Sequence, residues 1–240
     1  MINVKRLSED VKIDVGLEAQ SLNGTATGEY FNMGNYRRGL FVLQGADLGE
    51  GETVKIEVLQ ATDADGSDSK ALKDINDNAV EATITAQTDV TEVQIDLSSS
   101  ANTDTVTVNG VTYTQAASTS IADKEFTNDD GLAQCINDES VGVEGIEASA
   151  SSDVVTVKAE DPGDKLLTVS ATENSGTVGL STVSAIAYVD IQTSLIDNEN
   201  NFSHLAAKIT TGAAQNVSVD YIRYGSRYMP NQKVAASSTV

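Results

Sequence analysis

His204 and Cys135 are the chain's single histidine and single cysteine, the two residue types most often used as general base and thiol nucleophile. One of each cannot assemble a His/Cys zinc set. His204 follows Phe202 and Ser203 at the entrance to an apolar run and lacks the local context of a Ser-His-Asp triad, so it reads as a structural or solvated residue. Cys135 cannot form an intrachain disulfide and reads as a small buried apolar side chain. Carboxylates are plentiful, in Asp63-Ala64-Asp65-Gly66-Ser67-Asp68, in Asn128-Asp129-Asp130 and in Asp197-Asn198-Glu199. The first resembles a fragment of a calcium loop. Its glycine comes too early for an EF-hand, and no bidentate Glu follows at the required position, so a polar hairpin loop is the expectation. Paired carboxylates for glycoside hydrolysis exist anywhere in so acidic a chain, but Trp is absent and aromatic cleft platforms are few. The glycines form no phosphate loop. The expectation is a protein that is not an enzyme, with no catalytic residue, cofactor or metal.

Tyrosine and arginine offer more. Tyr30, Tyr36, Arg37 and Arg38 fall together with Phe31, and Tyr221, Arg223, Tyr224, Arg227 and Tyr228 follow near the C-terminus. These types dominate interface hot spots because they join large contact area to directional hydrogen bonds. Two roles fit them equally: an interaction surface, or tyrosines edging a core while arginines neutralise neighbouring carboxylates.

The elements that must position these residues are strands. Val54, Ile56 and Val58 alternate with Lys55 and Glu57; Val80, Ala82 and Ile84 alternate with Glu81, Thr83 and Thr85; Val93, Ile95 and Leu97 alternate with Glu92, Gln94 and Asp96. Such strands have one wet face, as in antiparallel sandwiches. Gly39–Leu43 is apolar throughout and suits a central strand. Ala185–Gln192, Leu205–Thr210 and Val217–Tyr224 read as further strands. In the middle, Thr105–Val108 and Val111–Thr114 flank Asn109-Gly110, a hairpin signal because both positions tolerate positive φ. Asn128 can cap a helix with Leu132, Cys135 and Ile136 on one face. Val154–Lys158 and Leu166–Ser170 then read as strands joined through Pro162-Gly163.

Charge divides the chain in the same way. Residues 102–184 hold three Lys, no Arg and fourteen acidic residues, whereas all five Arg and six of seven Tyr lie elsewhere. The expected fold is mainly β: an antiparallel, jelly-roll-like β-sandwich over 29–101 and 185–240, an inserted small α+β domain over 102–184, and an N-terminal arm over 1–28. The net charge of -21 opposes binding to nucleic acid or an anionic membrane. The first sixteen residues lack the apolar core of a signal peptide, and no run approaches a membrane span, so synthesis in a reducing cytoplasm is expected.

Several phrases resemble a class of small tailed-phage virion proteins. They are Glu29–Leu43 (EYFNMGNYRRGLFVL), Val54–Asp68 (VKIEVLQATDADGSD), Phe202–Ile209 (FSHLAAKI) and Val217–Pro230 (VSVDYIRYGSRYMP). Thr105–Thr114, Phe126, Leu132-Ala133 and Cys135-Ile136-Asn137 are similar to a small module of phage structural proteins, up to Lys158. Beyond it, Asp161–Lys165 stands where that module has a Gly-Asn turn. The resemblance implies a capsid decoration, or cement, protein that binds the major capsid protein on the outside of the head. It further implies a homo-oligomer, with a trimer favoured, made in the host cytoplasm and resident in the virion. The alternatives are a tail-tube, tail-terminator or head-fibre component, and an adhesin or carbohydrate-binding module. No long amphipathic hairpin of the tail-tube kind is evident in the sequence.

Overall fold

The computed structural model describes residues 11–160 and 166–226. The chain is mainly β with antiparallel sheets. Its contacts divide it into two units, residues 1–43, 55–83 and 187–240 in the first and 44–54 with 84–186 in the second. No described helix is long and apolar enough to cross a membrane.

In the first unit the strands are β1 (Val11–Thr27), β2 (Phe31–Asn32), β3 (Tyr36–Ala46), β5 (Thr53–Ala61), β6 (Lys70–Ala71), the second half of β15 (Thr177–Gln192) and β16 (His204–Ser226). They hydrogen-bond in the order β15, β3, β16, β5, β6, with β1 and β2 also on β16. β3 is central, as its apolar sequence requires. Along β5, Val54, Ile56 and Val58 are fully buried. The outward Lys55 bonds Glu81 at 2.8 Å and the outward Glu57 accepts from Lys208 at 2.8 Å. β16 joins two expected strands into one of 23 residues. The intervening Thr211–Asn216 has no large apolar side chain, but β1 pairs along it, Thr211 opposite Gly24 and Asn216 opposite Ser21.

The expected N-terminal arm is, over Val11–Thr27, this paired strand; residues 1–10 lie outside the described part. Periodicity conceals β1 because register shifts fall between Val15 and Leu17, Leu17 and Gln20, and Leu22 and Gly24. Each shift inserts residues that break the inward-outward alternation.

The second unit holds β4 (Leu48–Gly49), β8 (Glu92–Ser99), β12 (Ile146–Ser151), β13 (Val154–Ala159) and the first half of β15. Their order is β12, β13, β8, β15, with β4 on β15. A second sheet runs β11 (Glu125–Phe126), β10 (Val111–Gln115), β9 (Thr105–Val108), β14 (Val169–Thr172). β7 (Glu81–Thr85) lies where the chain passes from the first unit to the second. The β9–β10 hairpin turns on Asn109 and Gly110 at φ 46° and 83°, the left-handed pair that matches strand twist. An α-helix, α1 (Asp129–Asn137), starts at Asn128, whose side chain accepts from the Gly131 N–H at 3.0 Å. Asp129 and Asp130 favour its positive end. Leu132, Cys135 and Ile136 are buried beneath it. Asn137 closes the helix by bonding both backbone groups of Ala148 on β12, at 2.7 and 2.8 Å.

The unit boundaries differ from the expected 102–184 segment for one reason. β13 pairs with β8 from Val154↔Asp96 to Lys158↔Glu92, which ties residues on either side of position 102 into one sheet. β12, between α1 and β13, is weakly marked in the sequence because Ala148 and Ala150 are small. Pro162-Gly163 lies outside the described residues.

Asp104 carries a structural charge in this unit. Its carboxylate, fully buried, accepts backbone N–H bonds from Ala101 at 2.8 Å, Asn174 at 2.7 Å, Ser175 at 2.8 Å and Gly176 at 3.2 Å. The Ser175 N–H, then the Ala101 N–H, hold it below the usual carboxylate range, at about 2. A depressed folded-state pKa gives stability that is present above the unfolded value near 3.8 and disappears as pH falls through about 2. Asp104→Asn is therefore expected to lower the neutral-pH Tm by about 5 °C and to flatten the acid dependence between pH 4 and 2. Circular dichroism melts across that window check it, and unchanged curves would refute the role.

Candidate functional site

The Tyr/Arg residues separate into an interior group and an exterior group, by strand parity. Along β16 the odd positions Val217, Val219, Tyr221 and Arg223 are buried. Tyr221 is fully enclosed, stacked on Phe41 with centroids 4.0 Å apart and planes 4° apart, and its Oη donates to Met33 Sδ at 2.6 Å. Burial pushes its phenol well above the ordinary tyrosine range. Gly39 makes room for the ring: a Cβ there would sit 2.8 Å from Tyr221 Oη and 2.9 Å from Cε2. Arg223 is 6% exposed and bonds Asp14 Oδ2 through Nε at 3.0 Å and Nη2 at 2.5 Å. Its Nη1 donates to the Asn32 carbonyl at 2.7 Å, and its guanidinium lies 5.0, 5.3 and 5.9 Å from the ring centroids of Tyr36, Phe31 and Tyr221. Tyr36 is likewise buried. Tyr36, Tyr221 and Arg223 thus build the interior of the first unit and are corrected from interface candidates to packing residues. The core required the inward face of β16, and it took those aromatics.

Tyr30 is half-buried, bonds Ser69 at 2.5 Å and lies against Gly66. It holds the Asp63–Ser69 loop, where Asp63 Oδ1 accepts from the N–H groups of Asp65 and Ser67, each at 3.0 Å. These bonds, Ser67 foremost, keep the Asp63 carboxyl below its ordinary value. The carboxylate shapes a turn. No group of three or more His, Cys, Asp or Glu positioned for a metal occurs among the described residues.

The exterior group spans three neighbouring strands. Arg38 on β3 pairs with Asp190 on β15 and lies 5.6 Å over the Tyr224 ring on β16. Tyr224 Oη donates to the other oxygen of Asp190 at 2.9 Å. Burial, then this bond, raises the Tyr224 phenol. Arg37, also exposed, is pinned through its backbone: Thr193 Oγ1 donates to its carbonyl at 3.1 Å. Arg37 and Arg38, with Gln192, Thr193, Ser194 and Asn198, line an open depression of about 430 Å³. Arg227 and Tyr228 lie outside the described residues.

Tyr188, 70% exposed, was missed among the sequence candidates. Parity would have found it, because Val189 and Ile191 face inward and so turn Tyr188, Asp190 and Gln192 outward. The parity of β15 is not constant, however. Val178, Leu180 and Thr182 are buried at its start, then Ala185, Val189 and Ile191, with a register shift against β8 between Thr182 and Ser184. One bulge there switches the inward set from even to odd positions.

The remaining reactive side chains are committed locally. His204 bonds Ser203 Oγ through Nδ1 at 2.9 Å and the Asn32 amide through Nε2 at 3.4 Å. Cys135 is buried, donates to the Glu125 carbonyl at 3.6 Å, and burial pushes its thiol up.

No protein-family model matches the chain, and no curated protein matches it. Among solved structures, it is similar to a chain of the structure of infectious bursal disease virus Gx strain, with 8% identity and a TM-score of 0.17. The match covers 89% of this chain and 39% of that one. A likeness of this size carries no argument about fold or function.

Proposed function

We propose that the protein is a non-enzymatic virion component of a tailed phage, a decoration or cement protein that binds the major capsid protein on the outer head surface as a homo-oligomer. The observation that carries this reading is the outward cluster of Arg38, Asp190 and Tyr224 on three neighbouring strands, with the exposed Tyr188 two residues before Asp190 on β15 and Arg37 next to Arg38. Aromatic rings beside guanidinium groups already fixed by hydrogen bonds lose little side-chain entropy on docking. The sequence phrases that resemble phage head proteins supply the partner. In this reading the first unit is the docking part of a jelly-roll-like sandwich. The charge of the acidic α+β module discourages non-specific association.

The test is co-sedimentation of the purified protein with heads that lack it, with bound density located by electron microscopy. Saturable binding at regular shell sites is expected. Tyr188→Ala and Arg38→Ala should each weaken binding by about 2 kcal/mol, roughly 30-fold. Absence of binding to heads would overturn the reading.

A tail component is the second reading, favoured by the paired β1 and β16, strands of 17 and 23 residues. Rings or tubes assembled by the protein alone would select it.

A further inference from the structure

Within the first unit, every described Lys and Arg except Arg37 has a carboxylate partner. Lys12 meets Asp14, Arg38 meets Asp190, Lys55 meets Glu81, Lys70 meets Asp197, Lys73 meets Asp77, Lys208 meets Glu57, and Arg223 meets Asp14. This occurs in a chain with 36 acidic and 15 basic residues, where an arginine is surrounded by candidate anions. Arg37 is nevertheless exposed, without an ion pair among the described residues, beside the 430 Å³ depression. None of the described residues lining that depression is acidic, and Gln192 and Ser194 bring exposed hydrogen-bond donors to it. The neighbouring Asp190 is held by Arg38 and Tyr224, so its charge is already matched. The Thr193 bond to the Arg37 carbonyl fixes the backbone from which the guanidinium extends.

We infer that the Arg37 depression is a receptor for a carboxylate side chain, an Asp or Glu presented by the surface to which this face docks. The guanidinium fork takes a carboxylate through two parallel N–H bonds, which a lysine ammonium cannot reproduce. Gln192 and Ser194 then serve the outer lone pairs. The surrounding negative charge gives the site selectivity. On the described part of the first unit every other cation is already paired, so for a partner that presents an acidic patch this one ion pair also sets the register of docking. The identification of this face as the docking surface rests on the proposed function; the carboxylate preference of the site does not.

Two measurements keep these apart. In the first, the protein carrying ¹⁵N-arginine is titrated with the blocked peptide Ac-Gly-Glu-Gly-NH₂ and with its Gln counterpart. The expected result is a saturable shift of the Arg37 Nε–Hε resonance with the Glu peptide alone, with Arg38 unmoved, and its loss in Arg37→Gln. No saturable shift at Arg37, or equal shifts at Arg37 and Arg38, overturns the inference. In the second, head binding is compared for the wild type, Arg37→Lys and Arg37→Gln. A roughly tenfold loss in Arg37→Gln with only partial retention in Arg37→Lys is expected. Full binding by Arg37→Gln overturns the inference and leaves the decoration reading standing. Failure of the wild type to bind heads overturns the decoration reading, while the peptide titration still decides the carboxylate site.

Discussion

Arg223→Ala is expected to lower the free energy of unfolding by about 3–5 kcal/mol, measured by denaturant titration. The guanidinium is almost wholly enclosed, and three groups depend on it. Asp14 on β1 loses two bonds from Nε and Nη2 and is left with Lys12 at 3.1 Å. The Asn32 carbonyl loses its 2.7 Å donor, and the space between Phe31, Tyr36 and Tyr221 empties. Leaving a partly buried carboxylate and the Asn32 carbonyl poorly paired beside an emptied site costs more than the original contacts contributed net. Arg223→Lys keeps the charge but cannot reach Asp14 and Asn32 together, so an intermediate loss is expected. The pair Arg223→Met with Asp14→Leu removes both charges and should recover much of the loss. A cost below about 1 kcal/mol for Arg223→Ala would show that the guanidinium is not what fastens β1 to β16.

Tyr221→Ala should cost a comparable amount, about 3–5 kcal/mol, because it removes a fully buried ring from its stack on Phe41. Tyr221→Phe retains the stack and forfeits only the bond to Met33 Sδ, so a loss of about 1 kcal/mol is expected. Gly39 supplies an internal check. A methyl group at position 39 would press on the Tyr221 hydroxyl and ring edge, so Gly39→Ala destabilises the wild type. In a Tyr221→Ala background the obstruction is gone, and the same substitution should be close to neutral. Equal costs in the two backgrounds, read from a double-mutant cycle, would place the strain elsewhere.

Strand parity made much of the fold legible in the sequence. Val54, Ile56 and Val58, and again Val93, Ile95 and Leu97, are buried as their alternation predicts. The Asn109-Gly110 turn and the Asn128 cap have local chemistry that tertiary context does not override. β1 was hidden because register shifts scramble its period, and β12 because alanines leave its buried face faint. The candidate surface was legible only by residue type. Tyr36, Tyr221 and Arg223 share the composition of hot spots, yet their parity directs them inward. Tyr188 and Asp190 follow the opposite rule and escaped notice because neither lies in a Tyr/Arg phrase. Arg37 stood among the Tyr/Arg candidates, but what distinguishes it from Arg38 and Arg223 could not be read there, because those two are paired with carboxylates far away in the chain.

The β1–β16 ribbon has a consequence for synthesis. Asp14 and Arg223 stand 209 residues apart, so β1 leaves the ribosome long before its partner exists. At about 5–20 residues per second, the interval is roughly 10–40 s. Closing so long a loop adds little to the equilibrium cost but makes the ribbon a late event in folding. During that wait Ile13, Val15, Leu17 and Leu22 belong to a strand without a neighbour. The register shifts that hide β1 from sequence periodicity also make it a poor template for a neighbouring nascent chain, since a strand with broken spacing pairs well only with its own complement. The irregularities protect the newborn chain while it waits for β16.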